Sequence, residues 1–133
     1  MTKKKTPNQP MERTPPRCAR LRPSSARSAM EGSSVDVVIV AFEEFTDVDV
    51  FFMWDLLKRV RAPGWSVRVL GDRPQHTSSS GLPVPMHGPL SDANAADIVL
   101  FTSGPGTRAK CRDAAWLAQF RLDPSRQLIG SMC

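Results

Sequence analysis

The chain has 133 residues, 18 Lys and Arg against 13 Asp and Glu, and a formal net charge of +5, which is length for one domain. Its three cysteines, Cys18, Cys111 and Cys133, are an odd number with no close pairing, which excludes a secreted disulfide framework. No apolar run is long enough for a membrane span, and no hydrophobic core follows the basic start; the sequence reads as cytoplasmic, with no membrane partner.

The charge is uneven. Residues 1–34 hold eight basic and two acidic residues, a net of +6, so the remainder carries a net of −1. This first stretch is rich in Pro, Ser and Arg and poor in apolar side chains. It cannot bury enough surface to offset the entropy of ordering, and reads as a disordered extension. Charge alone gives it a weaker nucleic-acid reading, and a targeting role ranks third. Met30 offers a natural start just before the first strand.

The folded part is expected over 35–133. "VDVVIVAF" (35–42) is a β-branched run of the kind buried on both faces of a sheet. A helix follows over 49–61, with Val50, Met53, Trp54, Leu57 and Val60 at helical spacing. Asp47 or Asp49 suits its start, and Lys58, Arg59 and Arg61 suit its end. Pro63-Gly64 stops it, and "WSVRVL" (65–70) is a second strand.

Residues 81–90 are irregular and Pro-rich, with at most a short edge strand. "DIVLF" (97–101) is a buried strand that ends in the turn "TSGPGT" (102–107). Residues 111–120 read as a helix with Ala114, Leu117 and Ala118 on one face, and "QLIGSM" (127–132) as a last strand. Strands alternating with helices predict a mainly parallel sheet with helices on both faces. Any site then lies beyond the carboxyl ends of the strands, where residues 42–49, the 103–107 turn and Cys133 fall.

Three segments in this order, "FTDVDVFFMWDLL", "DIVLFTSGPGT" and "LIGSMC", resemble the DJ-1/PfpI family of the class I glutamine amidotransferase-like fold. The nearest branch holds isonitrile hydratases and the amino-terminal domains of some AraC-type regulators. The resemblance covers residues 35–133. It implies a flavodoxin-like three-layer αβα sandwich with a mainly parallel sheet. The chain stops where a nucleophile elbow would turn into its helix, so the carboxyl-terminal part of such a domain is missing and the piece is expected to be inactive and marginally folded.

By the same resemblance Cys133 is the nucleophile and Asp49 its acid/base partner, a match marked by the second acidic position, Asp55, six residues on. Gly104 and Gly106 supply the backbone of an oxyanion turn. The chemistry suits these residue types. A sharp strand-to-helix turn exposes sulfur and favours thiolate, a carboxyl group passes a proton, and glycine lets N–H groups approach an anion. From the residues alone, Asp49 reads first as a helix cap and the glycines by default as an ordinary βα connection, with an inert terminal thiol as the other reading of Cys133. Ser103 stands where relatives often have glycine and sets the oxyanion role in doubt. No histidine follows Cys133 to complete a triad.

The implied function is addition of a cysteine to a small electrophilic carbon, as in a hydratase or hydrolase. The alternatives are a ligand-sensing domain of an AraC-type regulator and a redox-sensing or chaperone-like member. The implied partner is a small molecule, and Phe51, Phe52 and Leu56 leave a face on the 49–61 helix for a second subunit. Cys111 reads as structural or surface. His76 and His87 read as lone loop histidines without metal-ligand spacing, and no cofactor or metal is expected.

Overall fold

A computed structural model describes residues 33–132. The expected disordered extension lies outside the described residues except for Ser33 and Ser34, as does the expected nucleophile, Cys133.

The β-branched run forms β1 (Val35–Val40), the middle strand of a five-stranded sheet. Its neighbours are β2 (Trp65–Gly71) on one side and β6 (Ile98–Phe101) on the other. The outer positions go to β5 (Gly88–Pro89) beside β2 and β7 (Leu128–Ser131) beside β6. All four pairings are parallel, as the alternation of strands and helices predicts.

Alternation along β1 supplies two cores. Val37 and Ile39 pack with Val67 and Val69 against Val50 and Met53 of α1 (Asp47–Lys58). Val38 and Val40 point to the opposite face, where Leu70 and Val99 meet Leu90 and Ala93 of the 3-10 helix Leu90–Asn94 and Trp116. A strand clothed on both faces needs a nearly continuous apolar run, which β1 has from Val37 to Val40.

Trp116 belongs to α3 (Ala114–Leu117) and is the buried residue of that turn. Its ring meets Phe42 and Phe120 edge-on, at centroid distances of 6.2 and 4.8 Å. The helix expected over 111–120 is therefore corrected. Only one one-turn helix, α3, stands there, with α2 (Thr107–Lys110) just before it, because the Asp113 side chain accepts the Trp116 N–H at 3.0 Å and starts a new helix. Ala114, Leu117 and Ala118 are exposed rather than core-facing.

α1 begins at Asp47, two residues before the expected start, and ends at Lys58. Trp54 and Leu57 are half-buried, and Val60 lies beyond the helix and exposed. Residues 75–77 also correct the sequence reading. They form β3 (Gln75–Thr77), which pairs antiparallel with β4 (Pro83–Pro85) in a separate hairpin. His76 is thus a strand residue and fully buried, not a loop histidine. Among the described residues no helix is long and apolar enough to cross a membrane.

Candidate functional site

The loop after β1 and the turn after β6 meet at the carboxyl ends of the strands. Their backbones touch so closely that two glycines are obligatory. A Cβ on Gly104 would lie 2.3 Å from the Glu44 carbonyl oxygen and 2.8 Å from the Thr46 nitrogen. A Cβ on Gly106 would lie 2.1 Å from the Glu43 carbonyl oxygen. Gly104 also has φ of +150°, and Glu44 opposite it has φ of +60°, an uncommon conformation for a residue with a side chain.

This contact brings Asp49 to the turn. Asp49 is buried in the first turn of α1. Its Oδ2 accepts the Ser103 N–H at 2.9 Å and the Ser103 hydroxyl at 2.6 Å. The Ser103 carbonyl in turn accepts the Thr46 N–H at 2.8 Å. Asp49 is therefore not a side-chain cap: its carboxylate reaches across to the neighbouring turn and not to the helix's own N–H groups.

The two glycines differ. The Gly106 N–H points to the Glu44 carbonyl at 3.5 Å. The Gly104 N–H has no hydrogen-bond partner among the described residues. Of the two expected oxyanion donors, Gly104 keeps its donor available, while Gly106 serves chiefly to let the loops approach. β7 runs parallel to β6, and the Met132 N–H donates to the Phe101 carbonyl at 2.9 Å. The described part of β7 thus ends alongside the start of the Ser103 turn. Asp55, the second acidic position of the family pattern, is exposed and pairs with Arg59 at 2.6 Å. It does not join Asp49.

Two polar clusters whose partners the sequence reading did not assign, around Asp47 and around His76, flank this pair. Asp47, at the start of α1, is bound by the Ser78–Ser80 loop. Its Oδ1 accepts the Ser80 hydroxyl at 2.6 Å, and its Oδ2 accepts the Ser80 N–H at 3.2 Å. The hydroxyls of Ser78 and Ser80, followed by the Ser80 amide, hold its pKa down to about 2.

The second cluster surrounds His76. Glu43 Oε2 lies 3.2 Å from Nδ1 and Asp72 Oδ1 lies 2.9 Å from Nε2. The Asp72 contact has ion-pair distance without hydrogen-bond alignment, so Nε2 is buried with no hydrogen-bond partner. The Thr77 amide first, then His76, pulls the Glu43 carboxyl below its ordinary range. Burial opposes ionisation of Asp72, but the Lys110 ammonium at 2.8 Å outweighs it and the pKa falls. A buried histidine held in part by Glu43, thirty-three residues earlier, leaves no local pattern to detect. A cleft lined by Gly71, Asp72, Arg73, Met86 and His87 opens beside this cluster. It includes neither Asp49 nor Ser103.

Cys111 is exposed. Among the described residues no group of three or more His, Cys, Asp or Glu side chains is placed to hold a metal ion.

No protein-family model matches the chain, and no curated protein matches it. Its fold, however, is that of DJ-1, ThiJ and PfpI proteins. A ThiJ/PfpI family protein from Pseudomonas syringae superposes with a TM-score of 0.65 at 18% identity, covering 76% of this chain and 43% of its own. Oxidized DJ-1 from Toxoplasma gondii gives 0.60 at 20% identity, covering 75% of this chain and 56% of its own. A DJ-1 superfamily protein from Agrobacterium tumefaciens gives 0.58 at 14% identity, covering 74% and 53%. The chain spans about half the length of these proteins.

The loop contact predicts that Gly104→Ala destabilises the fold by about 2–5 kcal/mol, since backbone strain and overpacking add. Gly81→Ala also meets a positive φ, +92°, but nothing within 4 Å, and is expected to cost only about 1 kcal/mol. Urea unfolding of the two variants measures the difference.

The depressed Asp47 pKa predicts stability that is present above the ordinary carboxylate value of 3.8 and lost as pH falls through about 2. Acid titration followed by NMR should place the Asp47 midpoint near the lower value. Asp47→Asn should flatten the pH dependence of stability across that window.

Proposed function

We propose that the chain is part of a DJ-1/PfpI-type protein that works by cysteine chemistry, with Cys133 as nucleophile and Asp49 as acid/base partner. The substrate is a small molecule with an electrophilic carbon, such as an isonitrile, an amide or an aldehyde adduct. The observation that carries this reading is the buried Asp49 carboxylate, taken across the loop junction by Ser103. It lies where a doubly wound sheet places its sites. A buried carboxylate with one oxygen satisfied and the other without a partner among the described residues is suited to exchanging a proton.

In the proposed step Cys133 sulfur forms a bond to the electrophilic carbon, and its proton passes to Asp49 Oδ1. For an amide the carbonyl π pair moves to oxygen, which the Gly104 N–H stabilises; the pair then returns, the carbon–nitrogen bond breaks, and the leaving amine takes the proton from Asp49. Water adds to the thioester carbon and gives a proton to Asp49, the carbon–sulfur bond breaks, and that proton returns to sulfur. A cytoplasmic location suits a reactive thiol of this kind.

The exposed side of α1 supports a second element of the reading, assembly as a homodimer. Val48, Phe52 and Leu56 repeat every four residues and are 63, 54 and 47% exposed, an apolar stripe opposite the buried one.

Alkylation by iodoacetamide, read for Cys133 relative to the exposed Cys111 by mass spectrometry, tests the pairing without requiring turnover, which the 133-residue piece is expected to lack. Asp49→Asn should slow Cys133 by about tenfold or more near pH 6, where a base is needed, and leave the rate near pH 9 unchanged. An unaltered rate near pH 6 contradicts the proposed role. For the dimer, Phe52→Asp should convert a sedimenting dimer into a monomer, and a wild-type monomer at high concentration contradicts it.

A further inference from the structure

We propose that Ser103 is the positioning residue of this site: its hydroxyl and amide together fix Asp49 through Oδ2 and so aim Oδ1. The inference rests on the role proposed above for Asp49. All three polar groups of Ser103 are committed to residues 46–49. The carbonyl takes the Thr46 N–H, and both donors converge on one carboxylate oxygen at 2.9 and 2.6 Å. Two donors fill the lone pairs of Oδ2 and leave Oδ1 as the proton-exchanging atom. Hydrogen bonds to an ionised acceptor are the strong ones, and two from different directions fix the carboxylate plane as one cannot.

The residue type at 103 therefore decides how Asp49 is held. Glycine or alanine offers only the amide, proline offers neither donor, and serine or threonine offers both. The same arrangement divides the turn between two tasks. The Ser103 N–H is used on Asp49 and is not available to an anion, whereas the next N–H, of Gly104, has no partner among the described residues. The serine that stood as an obstacle to an oxyanion role at this turn instead orients the acid/base group and leaves that role to its neighbour. Ser103 touches no reacting atom, since its hydroxyl proton is engaged by Asp49.

The test is the rate of Cys133 alkylation by iodoacetamide in the 133-residue chain, with Cys111 as internal reference, for Ser103→Ala, Ser103→Thr and Asp49→Asn. Ser103→Ala should lower the rate about tenfold near pH 6 and leave it within about twofold near pH 9. Ser103→Thr should restore it, and Ser103→Ala should add nothing to Asp49→Asn. A fall in Asp49→Asn without one in Ser103→Ala overturns the positioning role and spares the Asp49 reading; equal, additive effects also overturn it. No fall in Asp49→Asn overturns both. Should Ser103→Ala lose its circular dichroism signal, the wild-type chain decides. A slowly exchanging Ser103 hydroxyl proton with a nuclear Overhauser contact to Asp49 supports the role, and its absence overturns it.

Discussion

The site depends on one contact, the backbone-to-backbone approach of the 103–106 turn to the 43–46 loop. Neither Gly104 nor Gly106 has room for a Cβ, so the approach is closer than side chains permit. It is fixed from both directions, by the Thr46 N–H on the Ser103 carbonyl and by the Ser103 donors on Asp49. Without it, Asp49 would be a buried carboxylate in the first turn of a helix with no partner for Oδ2, a costly arrangement.

The sheet makes that contact possible. β1 places alternate side chains into two cores, so its carboxyl end is held rigidly between β2 and β6. The loops that leave β1 and β6 start from adjacent strand ends and are delivered to each other with little freedom. The His76 hairpin and the Ser78–Ser80 loop buttress the β1 loop from the other side, through Glu43 and Asp47. In this way long-range polar contacts, together with the buried Phe42 and Phe45 side chains, hold the loop in which Glu44 adopts a positive φ.

Much of this was legible in the sequence. β1 and β6 announced themselves as apolar runs because burial on both faces demands it, and β2 by Val67 and Val69 alternating with Ser66 and Arg68. Asp49 and Gly104 were singled out, and Asp49 does meet the turn that holds Gly104, through Ser103. What could not be read was short-range in length or long-range in contact. β3 has three residues and pairs with Pro-flanked β4, so no alternation can build up. Asp113 cut the expected 111–120 helix by capping a new turn, a competition between local hydrogen bonds that periodicity does not register. The burial of His76 depends on Glu43 and Asp72, one of them more than thirty residues away. Ser103 was read as an obstacle to an anion, because its partner, Asp49, is fifty-four residues earlier in the chain.

Amide hydrogen exchange at Ser103 tests the central contact most directly. If the turn is locked onto a buried Asp49, the Ser103 N–H exchanges only through opening of the sheet, as slowly as the amides of β1. Exchange at the rate of an unstructured peptide, with β1 still protected, would contradict the account.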